Sequence, residues 1–137
     1  MQTLERERAL ARSFGFSALF AWAVLGFALE AAHAFKLSAY LDHPMRRELL
    51  VWGHAHGVGL ALVLLAYASQ GVLDARSARA GRRLRLAAVA MPLGFALSAL
   101  GTSESDPGPA IWLVPLAALV LLWGLCEVML GAWRHQQ

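Results

Sequence analysis

The chain has one cysteine, Cys126, in 137 residues. A lone thiol excludes an internal disulfide framework and a cysteine-based zinc finger. No histidine lies near it in sequence, so it reads as a small packing residue rather than a nucleophile. A glycine-rich phosphate loop, a Walker motif and a serine nucleophile elbow are also missing. Charge is scarce: 15% of residues are Asp, Glu, Lys or Arg against 58% apolar, and mean hydropathy is +0.53. That is too apolar for an ordinary soluble domain and points to the membrane class, with one domain over residues 1–137. The isoelectric point near 9.8 would suit nucleic acid. The arginines, however, sit in short tracts between apolar runs, so the lipid bilayer and its headgroups are the expected partner and nucleic acid is not.

What is present is four apolar runs. Residues 1–12, MQTLERERALAR, are charged and helix-forming, a juxtamembrane start. Residues 13–35 are long enough to cross a hydrocarbon core of ~30 Å at ~1.5 Å per residue. The basic front and Ala32-His33-Ala34 also fit a secretory signal with its cleavage site, but the run is long for one. A polar loop broken by Pro44 leads to the second run, 49–72. The stretch 74–85, DARSARAGRRLR, reads as a basic loop with Gly81 as a breaker. The third run, 84–101, contains Pro92 and Gly94, and such prolines are tolerated in membrane helices. An acidic turn, TSESDPGP, then precedes the fourth run, 110–133, with Pro109 suited to the first helical turn. The expected fold is all-α: an integral-membrane, up-down four-helix bundle with helices over about 13–35, 49–72, 84–101 and 110–133.

Nine of the twelve basic residues (Arg6, Arg8, Arg12, Arg76, Arg79, Arg82, Arg83, Arg85 and Arg134) fall on one side of these spans. Lys36, Arg46 and Arg47 fall on the other. The positive-inside rule puts both termini in the cytoplasm of a bacterial inner membrane. Trp52, Trp112 and Trp133 fall near helix ends, as interfacial anchors should.

The outward ends of the first two spans carry the chemistry. Ionisable groups in an apolar helix are costly and need a partner or a purpose. Glu30 and His33 are spaced i, i+3 and share a face, which Gly26 continues one turn deeper. His54 and His56 lie about 200° apart around the second helix, each about 80° from the centre of the Gly53/Gly57 stripe. Only one of them can join the first helix directly. His43, Glu104 and Asp106 fall in the outward loops. The expectation is one site of Glu30, His33, His54 and His56 that holds a transition metal (zinc, copper or iron), or haem b ligated by His33, His54 or His56. Trp22, Phe27 and Trp52 would line a haem slot. Two alternatives stay open. The cluster can be interhelical hydrogen-bond glue in a non-enzymatic accessory subunit, or it can handle protons or a small molecule. Glu127 in the fourth span is either a proton-relay group or paired with an arginine, Arg134 being two turns on. The Gly53-x-x-x-Gly57 spacing allows close helix approach, so a homo-oligomer or a larger membrane complex is expected.

Ala31-Ala-His-Ala-Phe-Lys36, then Trp52-Gly-His-Ala-His-Gly-Val-Gly-Leu-Ala-Leu, and Ile111-Trp-Leu-Val-Pro-Leu-Ala resemble small bacterial four-helix membrane proteins of the YgdD type. The likeness lies in how the first span ends and how the second and fourth begin. It implies the fold and little chemistry. His56 beside His54, and Glu30, depart from that pattern. Arg46 and Arg47 before a histidine-bearing helix are superficially similar to the glutathione-using MAPEG enzymes. The charge bias puts that loop outside, and the chain contains no asparagine, which counts against that likeness.

Overall fold

A computed structural model describes residues 2–70, 75–102 and 106–134. It contains α1 (Gln2–Ala34), the single turn α2 (Ser38–Leu41), α3 (Pro44–Ser69), α4 (Ala75–Leu100), a 3₁₀ turn (Pro109–Trp112) and α5 (Leu113–Arg134). Among the described residues α1, α3, α4 and α5 are long and apolar enough to cross a membrane. This is the architecture of a multi-pass membrane protein.

The helices run beyond the apolar windows that announce them. At ~1.5 Å per residue α1 is ~50 Å long, so its charged first turns extend past the ~30 Å hydrocarbon layer. The basic stretch is helix from Ala75 onward, not a loop, because Ala, Arg and Leu are strong helix formers. Gly81 does not break it. Its bare Cα faces the ring of Tyr67 on α3, closely enough that a Cβ would lie 2.6 Å from the phenolic oxygen. The end of the second apolar run, residues 71–72, and the acidic-turn residue Glu104 lie outside the described residues.

Each long helix packs on the next: α1 on α3, α3 on α4, α4 on α5. Residues of α1 and α4 also meet, but among the described residues α1 and α5 do not. The up-down bundle is therefore an open row rather than a closed ring. Its core lies toward the end where α1 and α4 begin and α3 ends. Ala11, Leu60, Leu64, Tyr67, Leu84, Ala88 and Met91 are buried there. At that same end Arg85 donates to Glu7 at 2.8 Å, joining the overhang of α1 to the basic start of α4. Glu127 on α5 is paired with Arg83 of α4 rather than Arg134. The Arg83 guanidinium also lies 4.4 Å from the centre of the Trp123 ring, an added cation–π attraction.

The opposite end is held by backbone. Lys36 adopts the left-handed conformation (φ 51°), while Leu37 N–H donates to Ala32 O and Lys36 N–H to His33 O. This is a Schellman stop to α1. Pro44 occupies the first turn of α3, where a missing N–H costs nothing. Arg46 Nε donates to Ala99 O at 3.2 Å, a cation satisfying a free carbonyl at the negative end of α4. Gly101 and Gly108 N–H groups both donate to Ser98 O, which turns the chain from α4 into the 3₁₀ segment.

Candidate functional site

The contact between α1 and α3 is built by side chains seated on glycines of the opposite helix. Leu65 fits over Gly15, Trp22 over Gly57, and His54 over Gly26. A Cβ on Gly57 would lie 2.3 Å from the indole, and one on Gly26 would lie 2.3 Å from Cε1 of the imidazole. The antiparallel register thus puts Trp22 and His54 into reciprocal notches one turn apart. The Gly53/Gly57 stripe is divided between two neighbours. Gly57 faces α1, while Gly53 faces Pro92, Phe95 and Ala96 of α4. α3 is wedged between α1 and α4 along that stripe, and the stripe is not the seat of a single helix.

This wedge separates the two histidines. His54 turns to α1, where Nδ1 donates to the Trp22 carbonyl at 2.8 Å. A carbonyl only accepts, so the neutral imidazole carries its proton on Nδ1 and keeps the Nε2 lone pair free. Gly26 makes this bond reachable. His56 turns to α4: its ring centroid is 4.9 Å from that of Phe95, and its Nδ1 donates to Trp52 O of its own helix at 2.8 Å. The four residues expected in one site are therefore not together. Glu30, His33 and His54 line a cleft of about 520 Å³ between α1 and α3, with Gly26, Phe27 and Tyr40. His56 is on the far side of α3, beside Gly59 and Leu60. The physical reason is the 200° divergence of positions 54 and 56, with a separate helix on each side.

Glu30 and His33 are exposed and His54 is half-buried. Among the described residues, Glu30 and His33 make no side-chain hydrogen bond or ion pair. Also among the described residues, no three His, Cys, Asp or Glu side chains stand close enough to share one metal ion. His43 precedes α3 as its exposed N-cap residue, and Asp106 is exposed in the far turn. Neither lines the cleft. Of the residues proposed for a haem slot, Trp22 is committed to Gly57, Phe27 lines the cleft and Trp52 lines its neighbour. Tyr40, supplied by the single turn α2, is the polar cleft residue that sequence reasoning missed, beside the apolar Ala23, Leu29 and Val51. Nothing in a four-residue helical turn between two spans signals that it folds back onto them.

The chain matches no protein-family model, no curated protein and no solved structure.

Proposed function

We propose that this is a bacterial inner-membrane protein with both termini in the cytoplasm, and that the outward cleft between α1 and α3 binds a transition-metal ion through Glu30, His33 and His54. The observation that carries the reading is the unspent charge. Arg46, Arg83 and Arg85 each have a partner on another helix. Glu30 and His33, near the end of an apolar span, have none among the described residues. A carboxylate and an imidazole kept at such a depth without a structural partner call for a ligand. His54 supports the same reading. A backbone carbonyl on Nδ1 is the outer contact that orients metal-binding imidazoles and leaves Nε2 to the ion. The donors line one cleft without standing at bonding distance, so the exposed pair on α1 must close on His54 as the ion enters. Carboxylate and imidazole suit zinc, copper or iron. Haem is the less suited cofactor here, because Trp22 already fills the Gly57 notch and leaves only Phe27 and Trp52 for an apolar slot.

A second reading has its own observation. The bond from His54 to the Trp22 carbonyl is the interhelical contact expected of polar glue, worth ~0.6–2 kcal/mol. In that case the protein is a non-enzymatic accessory subunit. Elemental analysis and an absorption spectrum of protein purified without added metal separate the two. Stoichiometric metal that is lost in both His33→Ala and His54→Gln supports the ion site. Metal-free, colourless protein that also fails to take up added zinc, copper or iron leaves the glue.

A further inference from the structure

Beside the ion cleft a second one, of about 650 Å³, opens at the start of α3 and is lined by His33, Tyr40, Arg47, Glu48, Val51 and Trp52. It shares only His33, Tyr40 and Val51 with the first. Its wall sets one cation beside one anion, and among the described residues neither the Arg47 nor the Glu48 side chain has a hydrogen bond or an ion pair. Arg46, the preceding residue, is the one spent on structure, at the end of α4. Among the described residues the Arg47 guanidinium is thus not tied to another helix. Tyr40 and Trp52 add aromatic rings, and Trp52 is 54% exposed. The cleft spans the first turns of a membrane helix, which is the depth of the headgroup layer. Exposed apolar surface continues from it through Val51, which lines both clefts, to Phe27 of the adjoining one.

We propose that this cleft binds the headgroup of a zwitterionic phospholipid. The lipid phosphate sits on the Arg47 guanidinium, whose planar fork matches phosphate oxygens. The ammonium sits against Glu48 and the faces of Tyr40 and Trp52, which attract a cation. The acyl chains lie along Phe27 and Val51. An anionic lipid such as phosphatidylglycerol would satisfy Arg47 but bring no cation to Glu48, which would stay unpaired. A metal ion would be opposed by Arg47. The charge pair and the adjoining apolar flank together select the zwitterion. This inference does not rest on the ion site, since Arg47, Glu48 and Trp52 play no part in it.

The test is native mass spectrometry of the full chain released from nanodiscs. The discs contain phosphatidylethanolamine and phosphatidylglycerol with identical acyl chains in equal amounts. The wild type should retain the zwitterionic lipid in excess over the bulk ratio. Arg47→Gln should bring the retained ratio down to that of the bulk mixture. Glu48→Gln should keep lipid bound but admit the anionic one. His54→Gln should leave the ratio unchanged, which separates this site from the ion cleft. A wild-type ratio equal to bulk, or one favouring the anionic lipid, overturns the proposal without any variant. So does a wild-type ratio that survives in both Arg47→Gln and Glu48→Gln.

Discussion

Gly57 and Gly26 receive different side chains, so filling them should cost differently. A methyl on Gly57 meets the Trp22 indole close to its attachment, so the whole ring would have to move. A methyl on Gly26 meets the edge of His54, which can rotate away but loses its bond to the Trp22 carbonyl. We expect Gly57→Ala to destabilise the fold by about 1–3 kcal/mol, the usual cost of overpacking. Gly26→Ala should cost nearer ~0.6 kcal/mol, the average membrane hydrogen bond. A methyl on Gly59 would meet nothing within 4 Å, so Gly59→Ala should cost nothing and stabilise by up to about 1 kcal/mol, the helix preference for alanine over glycine. Denaturant titration in mixed micelles, followed by circular dichroism, ranks all three. The divergence of His54 and His56 was readable from their spacing, because 100° per residue is a property of the helix itself. Which neighbour each would face was not. That depends on where α1 and α4 sit around α3, and the Gly53/Gly57 stripe is compatible with one helix or with two. His56 is accounted for by Trp52 and Phe95. His56→Gln should therefore leave metal uptake at the level of the wild type, measured beside His54→Gln, which should abolish it.

At the scale of elements, helix ends were harder to read than helix middles. Four apolar runs announce four spans, since the bilayer demands about twenty apolar residues per crossing. Apolarity says nothing of where a helix continues into water: the helix-forming composition of residues 1–12 announces the overhang of α1, whereas α4 runs past its window into the arginine-rich stretch 75–85 that hydropathy reads as loop. The α1 stop is a case where local chemistry is not the best available. Lys36 holds a positive φ that glycine adopts freely and other residues only at a cost of ~1 kcal/mol. Lys36→Gly should therefore stabilise the protein by up to about 1 kcal/mol. The gain is to be read as a shifted unfolding midpoint in the same micelles, with lipid and metal binding unchanged. A loss of stability would mean that the lysine side chain does more for this end of the bundle than its backbone costs.

At the scale of the molecule, the open row gives its members unequal security. Among the described residues α3 packs between α1 and α4, and α4 touches α1, α3 and α5, whereas α5 is seated on α4 alone, together with the 3₁₀ turn. The membrane character and the four crossings were legible from composition. The openness of the row was not, because a lipid-facing residue and a helix-facing residue are equally apolar and hydropathy cannot tell them apart. The same blindness affects the glycines. Gly53 and Gly57 read as a self-association motif, yet both are covered within the chain, which removes that motive for an oligomer. α5 is held by the fit of Leu84 against Gly124, by Ala117 in the core, and by Arg83 through both Glu127 and Trp123. Arg83 thus ties the α4–α5 seam twice, and Arg83→Gln removes the ion pair and the cation–π contact together. Burial of the pair is partial, 27% and 14% side-chain exposure, so the loss should fall below the 3–5 kcal/mol of a fully buried pair, at about 1–3 kcal/mol. Part of that loss is the Glu127 carboxylate left without its partner. The double change Arg83→Gln with Glu127→Gln should therefore be more stable than Arg83→Gln alone. Because α5 has no second long helix beside it among the described residues, it should leave first. In Arg83→Gln, a spectroscopic probe next to Trp123 should report a transition at lower denaturant than a probe in the α3–α4 core near Tyr67. Coincident transitions in that variant would mean that α5 is held by more of the molecule than α4.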